Sequence, residues 1–275
     1  MKNRTLPLEF EKLTSPEIGR LARRRALVLL PFGQVEEHGP HLPVETDARI
    51  ATELGHRIAS AASRRIPIVL APTLWTGYSG KEMARWPGMI RVRTRVVMDL
   101  LFDVVSSFIE MSFRRVVLLS THGHHSELAR VVMRELHDAW PQAHLAVIDP
   151  VSLSAETYRA IRRSAPGGSC HAGEWETSLM LFFGARVEMS KASNLDHLRY
   201  SSEFVPPDTF SGPKPVFWST WKIQRSRTGV YGDPTVADAE TGRQLVESVV
   251  ERASRFLEEF YRFRSRGECE ELHSR

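Results

Sequence analysis

Apolar positions along this chain fall into two kinds of pattern that alternate. Residues 26–32 form an unbroken apolar run closed by turn residues, which predicts a strand buried on both faces. Residues 66–71, 116–120 and 145–149 repeat that pattern and predict three more strands. Between them the period lengthens. Ile50, Leu54 and Ile58 recur every four positions within 47–60 and mark a helix. Val97, Leu100, Leu101, Val104, Phe108 and Ile109 share one side of a helix over 96–111, and a third helix is predicted over 128–140. Ser15-Pro16 reads as a helix start before a short amphipathic stretch, 17–21, and a final amphipathic helix spans 236–263.

Strand–helix alternation of this length predicts an α/β fold of three layers, α/β/α, with a mostly parallel sheet covered on both faces. Residues 187–235 are rich in proline, glycine and aromatics and read as long ordered loops. No repeat or low-complexity tract divides the 275 residues, which are taken as a single domain, 1–275. An apolar fraction of 42% and a charged fraction of 25% exclude a disordered or collagen-like chain. No apolar run approaches the roughly 20 residues needed to span a bilayer, and residues 1–10 lack a signal-type stretch. Cys170 and Cys269 stand far apart, so no disulfide framework is expected and a cytoplasmic location is the default.

The formal charge of +4 invites a nucleic-acid reading. Its basic residues are dispersed, however, with short clusters such as Arg23-Arg24-Arg25 at element borders, where solvated side chains are ordinary. No nucleic-acid motif accompanies them, so the expected partner is a small molecule, with neither nucleic acid nor membrane. The charge favours at most an anionic substrate.

In an open parallel sheet, ligands bind outside the carboxyl ends of the strands. The polar surprises of this chain gather there. Gly33 to Asp47 follows the first strand and contains Glu36, His38, His41 and Asp47; Thr121 to Glu127 follows the third and contains His122, His124 and His125. A later segment, Cys170 to Ser178, adds His171, Glu174 and Glu176. One histidine on a strand end is usually a solvated loop residue; five histidines after two strand ends make a metal site the better explanation. Glu36 and His38 are two apart and project to one side of extended chain. Asp47 starts a helix, and His124 completes a ligand set of four. Mixed imidazole and carboxylate suits zinc, manganese or iron, and such sets often hold two ions.

The segment from Phe32-Gly33 to Thr46-Asp47 resembles the creatininase (creatinine amidohydrolase) family, with Gly33, Glu36, His38-Gly39-Pro40-His41-Leu42-Pro43 and Thr46-Asp47 in register. Trp86-Pro87-Gly88, His171-Ala172-Gly173 with Glu176-Thr177-Ser178, and Gly229 to Pro234 resemble further family elements in the same order. The resemblance covers about residues 10 to 250. It implies a dinuclear metal site in which Glu36 and His124 bind one ion, His38 the other, and Asp47 bridges both. It also implies that His171 is the acid/base delivering a proton to the leaving nitrogen. A metal-bridging hydroxide would attack the carbonyl of a small cyclic amide or formamide, and a homo-oligomer, commonly a hexamer, is expected.

The chain departs from the family pattern in places. His122 replaces a usual asparagine with a further potential ligand, Ser126 stands where creatininase has a metal-binding glutamate, and Met83 lies near a lost histidine. Glu176 is therefore assigned to the second metal, with Glu127 as fallback; Glu37 and Glu45 read as solvated groups or as supports behind the ligands. Ser79, His122, His125 and Trp175 are the candidates for substrate contacts. Trp218 and Trp221 read as a pocket lid or subunit contact. Three alternatives remain: ring opening of a cyclic ketone or lactone on the same site, a metal-free Cys170-His171 thiol hydrolase, and a protein that binds without turnover.

Overall fold

The computed structural model describes residues 9–212, 216–218 and 225–263; Trp221 and Cys269 lie outside them. Four parallel strands, β1 (Leu27–Phe32), β2 (Ile68–Leu70), β3 (Arg115–Ser120) and β4 (His144–Ile148), form a sheet in the order β2-β1-β3-β4. All six residues of β1 and of β3 are buried, which is why both read as unbroken apolar runs. Leu27 pairs with Arg115 and Phe32 with Ser120, so the two strands end level.

Successive side chains of β1 serve opposite layers. Leu27 and Leu29 join a core with α2 (Thr46–Ala62), α5 (Pro150–Ile161), α6 (Glu174–Phe182) and α7 (Ala239–Arg262). Val28, Leu30 and Phe32 face a second core with α1 (Ser15–Arg23), α3 (Thr94–Glu110) and α4 (His125–Ala139). The three-layer α/β/α arrangement is therefore as the sequence predicts. Among the described residues, no helix is long and apolar enough to cross a membrane.

Several boundaries differ from expectation. The edge strand β2 is three residues long, where six were predicted. Helix α5 was not anticipated, although Asp149-Pro150 caps it: the Asp149 carboxylate accepts from the N–H groups of Val151 and Ser152 at 3.0 and 3.3 Å. Helix α4 starts three residues earlier than its apolar period, and α7 three residues later, capped by Asp238 on the Thr241 N–H at 2.7 Å. Within the predicted loop region, Tyr231–Gly232 forms β6, paired antiparallel with β5 (Ser169–His171).

The strand order reverses between β1 and β3, since one crossover leads from β1 outward to β2 and the next returns past it to β3. This is the switch point at which a parallel sheet opens a crevice. Residues Gly33 to Asp47 and Thr121 to His124 lie at that point.

Candidate metal centre and active site

The loop after β1 folds inward through its own backbone. The Glu36 N–H donates to Val44 at 3.0 Å and the Ala48 N–H to Gln34 at 3.2 Å, returning the chain directly into α2. Gly33 permits that return: a Cβ there would stand 2.5 Å from the Ala48 Cα. The Thr121 hydroxyl donates to the Asp47 carbonyl at 2.8 Å and ties the loop to the end of β3.

This geometry brings three carboxylates and three imidazoles together, all buried except the partly exposed Glu176. Asp47 is central. Its Oδ1 lies 3.4 Å from His38 Nε2, and its Oδ2 lies 2.9 Å from His122 Nδ1. Glu36 Oε1 stands 3.3 Å from His122 Nδ1 and 3.5 Å from His171 Nδ1; Glu176 Oε2 stands 3.9 Å from His38 Nε2. Among the described residues three donor sets result: Glu36, Asp47 and His122; His38, Asp47 and Glu176; and Glu36, His38 and His171. Within each set the donor atoms lie within 4.8 Å of one another.

His38 and His122 are oriented by carbonyls, which can only accept. His38 Nδ1–H donates to the Glu36 carbonyl at 3.1 Å, and His122 Nε2–H to the Tyr78 carbonyl at 3.1 Å. Each therefore aims its other nitrogen at the carboxylates, the arrangement that fixes imidazole ligands in metal sites. His38 Nε2 and Glu36 Oε2 are buried and have no hydrogen-bond partner among the described residues. Such atoms are costly unless something binds them, and a mixed nitrogen and oxygen set fits zinc, manganese or iron. The residues present fit a metal.

Electrostatics agree. Burial opposes charge on His38, but Asp47, Glu176 and Glu36 outweigh it and lift its pKa to about 10. Burial likewise opposes charge on His122, yet Glu36 and Asp47 raise it to about 9. Burial also resists ionisation of Asp47, but His38 and His122 hold its carboxyl well below the usual range. Metal uptake would displace these imidazole protons, so it releases protons and weakens as pH falls. The sign for folding is opposite. A histidine with a raised folded pKa stabilises fully below its unfolded value of 6.5, and that contribution disappears as pH rises through about 9 to 10. Asp47 contributes above its ordinary value of 3.8 and loses that contribution on acidification. Chelator-treated protein is expected to show a falling thermal midpoint between pH 7 and pH 10, with a shallower fall in His122→Asn. A profile identical in the two proteins would contradict this account of His122.

The segment around His171 is held from below. The Glu174 carboxylate, fully buried, accepts from Tyr158 Oη at 2.8 Å and from the N–H groups of Arg163 and Ser164 at 2.8 and 2.9 Å. Ala172 adopts a positive φ of 52° while buried, a strained conformation for a non-glycine residue. Its N–H donates to Glu176 Oε2 at 2.5 Å, which turns that carboxylate toward His38. Glu176 is thus brought into the cluster, as are Glu36, His38, Asp47 and His171.

Other expected site residues are placed differently. His124 stands outside all three donor sets; it precedes α4 at the rim, its ring 5.2 Å from that of His122. The turn closed by the His125 N–H on the His122 carbonyl, at 3.0 Å, sends His122 inward instead. His122, rather than His124, is thus the histidine whose nitrogen faces Glu36 and Asp47. Ser79 is fully buried and accepts from Gln34 Nε2 at 2.9 Å, which braces the loop. His125 is buried, stacked on Phe32 at 3.9 Å, and accepts from the Tyr78 N–H at 3.0 Å. Trp175 packs in the core against Phe210 and donates to Ser154 Oγ at 3.0 Å. Cys170 belongs to none of the donor sets, and the nitrogens of His171 are directed to Glu36 and Glu37. Glu37, expected at most in a supporting role, is buried beside His171.

The creatininase family model, described as creatinine amidohydrolase, matches residues 11–257. The mycofactocin precursor peptide peptidase of Mycobacterium tuberculosis H37Rv is 29% identical, over 93% of this chain and 95% of its own length. The 3-dehydro-scyllo-inosose hydrolase of Thermotoga maritima is 24% identical, over 88% of this chain and 80% of its own. A solved structure described as "Creatininase Mn" superposes with a TM-score of 0.77 at 20% identity, covering 94% of this chain and 100% of the other. Its likeness shows the same fold, and the family match spans both cores and every segment of the cluster. The chain belongs to the creatininase family.

Proposed function

We propose that this protein is a dinuclear metal-dependent hydrolase that cleaves a C–N bond of a small cyclic amide or formamide. The observation that carries the proposal is Asp47, whose two oxygens serve separate donor sets, His122 and Glu36 on one side and His38 and Glu176 on the other. Three protein ligands per ion is the usual arrangement of a catalytic site that keeps positions open. His122 takes the first-site role in preference to His124, because its Nδ1 already faces Glu36 and Asp47.

Divalent ions held there would supply Lewis-acid polarisation of a carbonyl and a lowered pKa for water. The residues of this chain do the rest. Burial of Glu36, His38 and Asp47 keeps bulk water away from the charges and strengthens their action. His171 presents Nδ1 toward Glu36 and holds Nε2–H against the Glu37 carbonyl at 2.8 Å. That leaves Nδ1 as the atom that takes a proton and delivers it to the departing nitrogen, which must leave as a neutral amine.

Similarity to a precursor peptide peptidase supports an amide substrate. Similarity to a hydrolase of an inosose, a cyclic ketone, favours a second reading in which the same site opens a carbocycle. A panel of lactams, formamides, short peptides and cyclic ketones, assayed before and after chelation, decides between them. Release of an amine that stops on chelation and survives thiol alkylation is the expected result. Ring-opened acid without amine would favour the second reading; turnover that survives chelation but not alkylation would overturn both in favour of Cys170.

A further inference from the structure

Glu37 sits between two members of the metal cluster in sequence, yet it belongs to none of the three donor sets. Its side chain is 4% exposed. Oε2 accepts from the Gly39 N–H at 3.0 Å, while Oε1 has no hydrogen-bond partner among the described residues and lies 3.5 Å from His171 Nε2. The carbonyl of the same residue accepts from that nitrogen at 2.8 Å. One residue thus offers two oxygens to a single ring edge.

The surroundings are shaped to admit this carboxylate. Gly229 has a φ of +94°, and a Cβ on it would stand 2.1 Å from Glu37 Oε2. Its loop is held in place by Asp196, which accepts from the Ser226 hydroxyl at 3.0 Å and from the Arg227 and Thr228 N–H groups at 2.9 Å. Tyr231, two residues on, pairs with His171 across β5 and β6. A buried, half-satisfied carboxylate is expensive unless it acts on a neighbour.

We propose that Glu37 is a positioning residue for His171: its carboxylate and carbonyl together hold the Nε2–H edge, so that Nδ1 is the nitrogen presented to the reacting centre. A flipped ring would place a carbon against both oxygens and lose the bond in a buried site. The inference rests on the proton-carrying role of His171 proposed above, and it goes beyond that role by naming what sets the ring.

Glu37→Gln is the test. The Gly39 N–H keeps the amide oxygen, which turns the new NH₂ group toward His171 Nε2–H, donor against donor. Metal-free, deuterated protein labelled with ¹⁵N-histidine is examined by long-range ¹H–¹⁵N spectroscopy, with His171→Ala identifying the signal. The wild type is expected to show a protected proton on Nε2; in Glu37→Gln that signal shifts and exchanges with water. An unchanged His171 signal overturns the proposal, whatever the substrate. In turnover, Glu37→Gln is expected to lower kcat roughly 10–100-fold, as loss of an orienting partner does. KM and metal content stay unchanged, and no further loss appears in the His171→Ala background. Equal losses in both backgrounds would also overturn it. Glu37→Asp, with its shorter arm, gives an intermediate shift and covers a poorly folding glutamine variant. Should no panel substrate turn over, the hydrolase proposal falls while the spectrum still decides the role of Glu37.

Discussion

Asp47→Ala is expected to emerge from purification with no bound metal at all. Its two oxygens lie 3.4 Å from His38 Nε2 and 2.9 Å from His122 Nδ1, so one side chain serves both donor sets. Losing a mere orienting partner already costs roughly 10–100-fold in metal affinity, and a shared ligand costs more at each of two positions. The fold should survive, because Thr121 bonds to the Asp47 carbonyl and α2 is fixed by Ile50, Leu54 and Ile58 in the core. Glu176→Gln offers the contrast. It touches only the set shared with His38, and is expected to lose about one equivalent and keep the other. Elemental mass spectrometry of the two variants reads this directly. Full metal content in Asp47→Ala would remove its bridging role.

His171→Ala is expected to separate chemistry from metal binding. Turnover should fall roughly 10²–10⁴-fold, the range for a lost acid/base, while metal content stays at the wild-type level. The ring lies near the cluster, with Nδ1 3.5 Å from Glu36 Oε1 and its plane 4.3 Å from that of His38 between centroids. Proximity alone would equally suit a ligand. The two other sets supply three donors apiece without it, which leaves His171 for the proton. Metal lost together with activity would instead make it a ligand; normal turnover would deny it either role.

The sheet and most helices were legible because burial on two faces leaves an unmistakable apolar run, as in β1 and β3. Helix α5 escaped because few of its side chains are fully buried, so its period is faint and only its Asp149-Pro150 start speaks for it. The location of the site was legible for a converse reason: charged residues directly after buried strands are unexpected unless they bind something. Which way each side chain points was not. His122 and His124 are two apart, and only the turn into α4 decides that the former faces Asp47. Trp175 and Glu176 are neighbours on α6, where about 100° of rotation separates adjacent side chains; one enters the core and the other the cluster. Glu37 was undervalued because its significance depends on Gly229 and His171, which are close only in the folded chain.

The metal content of wild-type protein, purified without chelator and counted per chain by elemental mass spectrometry, bears most directly on the dinuclear hydrolase. About two equivalents of zinc, manganese or iron, removable by chelation and restored by adding the ion back, are expected from the paired donor sets. Protein that stays metal-free after incubation with each of these ions would contradict it.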